Sequence, residues 1–272
     1  MITNIKKMKM KKSLFLCLLA GLFLISACSS STNEAPVAAS PPLNSLKKLT
    51  EKIYYPSGVQ ISGVDFIYGD GVLKQFKSSN GVYTNDLEYA GDKIISSKTY
   101  INGTLQTTNN FAYAGDLLQT VTGNNGQRIR FTYQGQVLRT IFNELSSLNS
   151  WYVNDSKMVT FDSNANITED LAYSNFGGMP ATYKSGYSYD NKNNPFKQMN
   201  RYFRMVFNTE TISVLNQNNQ IGKFSFSSPT STVSSQSEVY EITYNTQEYP
   251  TLIKKRRFSN NELVSELCIE YN

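Results

Sequence analysis

The sequence predicts an all-β fold: an antiparallel meander of repeated hairpins forming a curved, twisted sheet or partly closed barrel, with one short helix. Three observations predict it. A unit of apolar residue, spacer and tyrosine recurs as Phe66-Ile67-Tyr68, Leu87-Glu88-Tyr89, Phe111-Ala112-Tyr113, Phe131-Thr132-Tyr133, Tyr187-Ser188-Tyr189 and Ile242-Thr243-Tyr244, and Tyr271 closes the chain. The first four tyrosines stand 21, 24 and 20 residues apart, the fixed-period self-similarity of a repeat architecture. Two kinds of turn alternate between them: Gly-Asp at 91–92 and 115–116 with Gly135-Gln136 in the same place, and Asn-Gly at 80–81, 102–103 and 125–126. Both suit two-residue hairpin loops, whose positive φ angles glycine and asparagine tolerate.

Taken in order, the chain begins with Lys6, Lys7, Lys9, Lys11 and Lys12, followed by an apolar stretch from Leu14 to Ile25 and then small residues. This is the layout of a secretory signal peptide, and the apolar stretch is too short to span a bilayer as a helix. Its end, Leu24-Ile25-Ser26-Ala27-Cys28, resembles the lipobox of bacterial lipoproteins. The resemblance implies cleavage before Cys28 and diacylation of its sulfur. Residues 1–27 are then the signal peptide, 28–42 a flexible Ser/Thr/Ala/Pro tether, and 43–272 the β-repeat domain. Ser29, Ser30 and Ser31 supply no aspartate of the kind that resembles an inner-membrane retention signal, which favours the outer membrane.

Five of the 26 basic residues lie in the leader, which holds no acid, so 21 bases face 21 acids in the remaining chain. The clustered positive field that non-specific nucleic-acid binding needs is absent, and no nucleic-acid partner is expected. Cys17 leaves with the leader and Cys28 is taken by lipid, so Cys268 has no partner for an intramolecular disulfide.

Leu46, Leu49 and Ile53 have helical spacing, but Ile53-Tyr54-Tyr55 before Pro56 suits a strand end, and residues 43–55 are read as a first strand. Strands of about ten residues then run between turns from 64 to 143, with apolar and polar residues alternating as in Ile129-Arg130-Phe131-Thr132-Tyr133. Residues 143–150 read as an inserted loop, Val159-Thr160-Phe161-Asp162 as a degenerate copy with phenylalanine in the tyrosine place, and 225–237 as a Ser/Thr-rich loop. Asn194-Pro195 reads as the start of the short helix, with Phe196, Met199 and Phe203 at helical spacing. Three strands around Tyr244, Phe258 and Ile269 end the chain.

The tyrosine unit resembles the YD repeats of RHS-type proteins, in which Tyr-x-Tyr-Asp precedes a turn; Tyr187, Tyr189 and Asp190 are the closest copy. Together with the lipobox and tether, the layout is similar to that of cell-envelope lipoproteins with no established activity. The resemblance implies repeat architecture and carries over no catalytic residue.

Histidine is absent, which excludes Ser-His and Cys-His catalysis and the common zinc sites. No phosphate-binding Gly-rich loop with Lys-Ser/Thr is present. No catalytic residue, metal ligand or cofactor is expected. The turn acids Asp70, Asp92, Asp116, Asp162 and Asp190 invite a calcium reading, but aspartate is also an ordinary turn residue. Tyr68, Tyr89, Tyr113 and Tyr133 should form a row that either stacks against a ligand or fills the core. The basic run Lys254-Lys255-Arg256-Arg257 reads as a protected sheet edge or, alternatively, as a contact for anionic lipid.

These readings point to a lipid-anchored, non-catalytic binding or interaction module of the cell envelope, with a carbohydrate or protein ligand and the membrane as partner. A structural envelope protein or subunit of a membrane complex is the alternative. A glycoside hydrolase using two carboxylates is the third, because that chemistry needs only an acid and a base or nucleophile at the correct separation.

Overall fold

The computed structural model describes residues 40–272 apart from 149, 177–178, 208 and 210–212; the expected leader, Cys28 and the tether up to residue 39 lie outside the described residues. The strands are β1 (Leu46–Tyr55), β2 (Gly58–Gly69), β3 (Val72–Ser78), β4 (Tyr83–Ala90), β5 (Lys93–Ile101), β6 (Thr104–Ala114), β7 (Leu117–Gly123) and β8 (Gln127–Gln134). They continue as β9 (Val137–Ser147), β10 (Ser150–Phe161), β11 (Ile167–Phe176) and β12 (Met179–Asn193). Helix α1 (Arg201–Val206) precedes β13 (Asn218–Phe226), β14 (Ser234–Tyr244), β15 (Pro250–Arg257) and β16 (Leu263–Tyr271).

Every strand pairs antiparallel with its chain neighbours, and β16 returns to pair with β1 through Leu49↔Ile269, Glu51↔Leu267 and Ile53↔Ser265. The meander therefore closes completely into a barrel. Residues from 46 onward suffice for closure. The basic run 254–257 is consequently no sheet edge: it lies on β15 between β14 and β16. The expected loop at 143–150 is instead the tip of a long hairpin in which Leu145, Ser146 and Ser147 pair with Tyr152, Trp151 and Ser150. The expected loop at 225–237 shrinks likewise, because Ser225↔Ser235 and Phe226↔Ser234 are paired.

The two turn types occupy opposite ends of the barrel. Asn102 and Gly103 both have positive φ (49° and 80°) and join the directly paired Ile101 and Thr104, the conformation that asparagine-glycine adopts most readily. Gly91, with φ of 62°, turns the chain at the other end between Ala90 and Lys93.

A bulge accompanies every tyrosine place. Glu88 faces Ser96 while Tyr89 faces Ile94, leaving Ile95 as the extra residue, and the same slip leaves Lys74, Gln119 and Arg139 extra beside Tyr68, Tyr113 and Tyr133. It recurs at Phe161, Tyr189 and Tyr244, and at the closing seam, where Tyr271 faces Leu46 and Glu270 faces Lys48. A bulge bends its strand and re-aims the neighbouring side chain. Eight such places, one for each of the eight strand pairs around the ring, curl sixteen strands into a closed wall.

The connection from β12 to β13 turns into the tyrosine end as a plug and packs against the wall there. Phe196, Met199, Tyr202, Phe203 and Val214 from this connection are buried with Phe66, Phe76, Phe111 and Phe131 of the wall. Phe203 and Phe207 meet the Phe76 ring edge-on, with centroids 5.2 and 5.6 Å away. The helix begins at Arg201, later than the Asn-Pro signal suggests. Asn194 instead closes a tight turn, accepting from Phe196 N at 2.9 Å, while Asn200 caps α1 by accepting from the amides of Tyr202 and Phe203.

Candidate functional site

The barrel interior is the candidate site, and the tyrosine places organise one end of it. The phenol of Tyr89 donates to the carbonyl of Leu73, that of Tyr113 to Ile94 and that of Tyr133 to Leu118, each at 2.7 Å. Leu73, Ile94 and Leu118 are the residues facing Tyr68, Tyr89 and Tyr113, so each hydroxyl ties its hairpin to the hairpin before it. Tyr189 reaches Ile167 at 2.6 Å and Tyr271 reaches Pro250 at 2.8 Å in the same manner. Tyr244 departs from the rule and donates to the Asp190 carboxylate. The hydroxyl of Tyr68 is buried with no hydrogen-bond partner in range among the described residues.

Of the four tyrosines considered as a ligand platform, Tyr89, Tyr113 and Tyr133 thus have their hydroxyls engaged by backbone, and all four rings pack against the core. The Tyr113 ring meets Tyr202 of the plug edge-on at 4.9 Å. Burial, which disfavours the phenolate, pushes Tyr68 and Tyr133 up to about 12 and raises Tyr89 and Tyr113 further.

The plug is held by Arg204. Its Nε donates to the carbonyl of Val214 at 2.9 Å, and one Nη donates to those of Leu215 and Asn216 at 2.7 and 2.6 Å. The guanidinium is buried, and burial pushes its pKa down to about 10, still charged at neutral pH. On the barrel side, Asn200 donates to the carbonyl of Asp92 at 2.7 Å and Tyr202 to that of Asp116 at 3.0 Å.

Away from the plug the inner face turns polar. Directly paired residues share a face, so the register of buried Val159 with Asp170 and of Tyr187 with Lys223 fixes these side chains inward. Asp170 accepts from the Tyr187 hydroxyl at 2.8 Å and pairs with inward-facing Lys157 at 3.5 Å. The Lys157 side chain is 51% exposed although it faces inward, so this half of the interior is wet. Further along, Lys223, Glu238 and Arg257 lie opposite one another and border a pocket of about 380 Å³ near the mouth. Glu238 is engaged by the Tyr240 hydroxyl at 2.7 Å, and Lys223 has no ion-pair partner among the described residues.

The outer wall is charged and paired across strands. Glu144, 4% exposed, is gripped by Arg128 at 2.6 Å and Arg130 at 2.8 Å, and these two arginines lie over the rings of Trp151 and Phe142. Glu266 sits between Lys52 (3.7 Å) and Lys254 (3.6 Å), Lys48 meets Asp65 at 3.9 Å, Lys184 meets Glu169 at 3.2 Å and Arg256 meets Glu241 at 2.8 Å. Four of the five turn acids have partners within the barrel. Asp70 pairs with Lys74, Asp116 with Lys93, Asp162 accepts from the amides of Asn164 and Asn166, and Asp190 holds Tyr244 and Asn219. Among the described residues no three His, Cys, Asp or Glu side chains gather as a metal-binding group.

Arg204, Lys157, Asp170 and Lys223 carry no local signal in the sequence; the return of the plug brings Arg204 its carbonyls, and the register of neighbouring strands brings Lys157 and Tyr187 to Asp170.

No family model and no curated protein sequence matches this chain. Among solved structures it is similar to a porin-like protein from Bacteroides uniformis, with a TM-score of 0.55, 11% identity, and coverage of 86% of this chain and 100% of that one. A porin-like protein from Bacteroides vulgatus aligns with a TM-score of 0.48 and 14% identity over 84% of this chain and 98% of that one. The Photorhabdus luminescens Tc holotoxin pore aligns over 77% of this chain and 10% of that one with a TM-score of 0.31 and 13% identity. The first likeness is one of fold; the other two are too loose to argue from.

Proposed function

We propose that this protein is a water-facing β-barrel of the cell envelope, held at the outer membrane by lipid on Cys28, with a structural or interaction role and no channel through it. The likeness to porin-like barrels supports an envelope setting. The observation that carries the rest is the outer wall. A barrel that spans a bilayer presents an apolar band about 25 Å tall, and each Arg or Lys at the midplane costs about 2–4 kcal/mol. Here Arg128, Arg130, Lys98, Lys184, Lys254 and Arg256 lie on that surface with their acids. The plug, sealed by aromatic packing and Arg204, supports a stopped barrel over a pore. Ser45, just beyond the expected tether, accepts from Asn272 at the plugged end, so an anchor at Cys28 would hold that end nearest the membrane.

The test is to cleave the tether of the membrane-associated protein with a protease and centrifuge. Release of the intact barrel into the aqueous phase is expected; a barrel that sediments with the membrane after cleavage overturns the proposal. A second reading, capture of a soluble carbohydrate or protein ligand, is favoured by the wet inner face, where Lys223 has no ion-pair partner among the described residues beside the pocket. A glycan and envelope-protein binding screen that loses its hit on Lys223→Met would support it, and a hit unaffected by that change would sink it.

A further inference from the structure

Seven of the eight tyrosine places hold tyrosine, and the eighth holds Phe161. By the rule its neighbours follow, a hydroxyl at 161 would donate to the carbonyl of Leu138, as Tyr133 donates to Leu118. Phenylalanine offers none. At this break in the ring lies a cavity of about 300 Å³ between wall and plug, bordered by Phe161, Leu138 and Tyr133 on one side and Tyr202, Met205 and Leu215 on the other. A volume of this order is the lower end of the range for small-molecule sites, which are typically apolar with few polar groups.

Its rim carries Arg201, Arg204 and the Asp116 carboxylate, and Lys93 neutralises the last of these. Arg201 borders the cavity, lies over the Tyr202 ring and donates to the Tyr202 hydroxyl and, at 3.5 Å, to the backbone carbonyl of Asp116. It makes no salt bridge among the described residues: the Asp116 carboxylate nearby acts on it electrostatically but bonds to Lys93 at 2.8 Å. The other arginine at the cavity, Arg204, has its guanidinium occupied by the three carbonyls of the plug. An open, largely apolar hollow whose rim carries an exposed guanidinium free of any salt bridge among the described residues is complementary to a molecule with an apolar body and an anionic end.

We propose that this cavity is a binding site for a small aryl or short-chain aliphatic carboxylate, its apolar part against Leu138, Phe161 and Leu215 and its carboxylate on Arg201. The site lies at the plugged end and is separate from the polar mouth.

The experiment is calorimetric titration of residues 40–272, the self-closing barrel, with 3-phenylpropionate and with octanoate, using 3-phenylpropanamide as the neutral counterpart. Saturable 1:1 binding of at least one carboxylate is expected, at least tenfold tighter than the amide. Arg201→Gln, at an exposed position, should weaken it about tenfold or more. Phe161→Trp, which intrudes on the hollow, should weaken it while leaving the circular dichroism spectrum unchanged; if the tryptophan variant does not fold, Arg201→Gln alone decides. Failure of both carboxylates to bind at millimolar concentration overturns the proposal. Equal affinity for acid and amide, or no effect of Arg201→Gln, overturns it equally.

Discussion

Replacing Arg204 by methionine isolates what holds the plug. Methionine retains much of the apolar stem but removes the guanidinium that serves the carbonyls of Val214, Leu215 and Asn216 at 2.9, 2.7 and 2.6 Å. Hydrogen bonds to a charged group contribute about 1.5–3 kcal/mol each, and the stranded carbonyls lose their partners in a buried setting. The gain from no longer burying a cation offsets part of this, leaving a net loss of about 3–5 kcal/mol. For a domain of this size that corresponds to a fall in melting temperature on the order of 10 °C. The assay is urea unfolding together with amide hydrogen exchange, because the damage should concentrate in residues 213–217 and open the plug before the wall unfolds. Arg204→Lys should recover only part of the loss, since one ammonium on a flexible stem does not match the fork that spans three carbonyls. A loss below about 1 kcal/mol with unchanged protection at 213–217 would refute the reasoning and assign the plug to apolar packing alone.

Other perturbations probe the ring and the wall. Tyr113→Phe removes one bond of 2.7 Å and should lower stability by about 0.5–1.5 kcal/mol in denaturant titrations, whereas Phe161→Tyr, which completes the ring, should raise it or leave it level. Raising the pH should unfold the barrel in a defined window. Burial favours the neutral phenols, so their contribution is intact below the unfolded value of about 10 and is lost as pH climbs toward the folded values; Tyr68, pushed up to about 12, alone amounts to roughly 2–3 kcal/mol. An alkaline titration that leaves the fold untouched beyond pH 12 would contradict this. Glu144→Gln should cost about 1–3 kcal/mol and red-shift the fluorescence of the single tryptophan, Trp151, as Arg128 leaves its ring; an unchanged spectrum would argue against the clamp.

Local chemistry made the hairpins legible. Asn102-Gly103 and Gly91-Asp92 announce turns through their own backbone preferences, and alternation around Phe131 and Tyr133 announces the faces. Even the degenerate copy at Phe161 stands where a repeat belongs, with its bulge at Thr160 and Phe161. Closure was not legible, because the pairing of Leu49 with Ile269 depends on the summed curvature of eight bulged hairpins and on no feature near either residue. The hairpin tip around Ser146 and Ser147 has turn-like composition yet pairs as strand, since its neighbours on β10 fix the register. Alternation also misleads about Lys157 and Lys223. A polar residue in a strand is ordinarily read as facing out, whereas a barrel this wide keeps water on part of its inner face. The role of Arg204 depends on a return of the chain ten to twelve residues later, which spacing alone does not reveal.

The most direct test of a water-facing barrel is to purify residues 40–272 without detergent, incubate them with liposomes and float the vesicles. The barrel should remain in the aqueous fraction, monodisperse and with the circular dichroism of a β-protein. Co-flotation with the vesicles, or a need for detergent to stay in solution, would contradict the account and return the charged wall to a membrane that its ion pairs argue against.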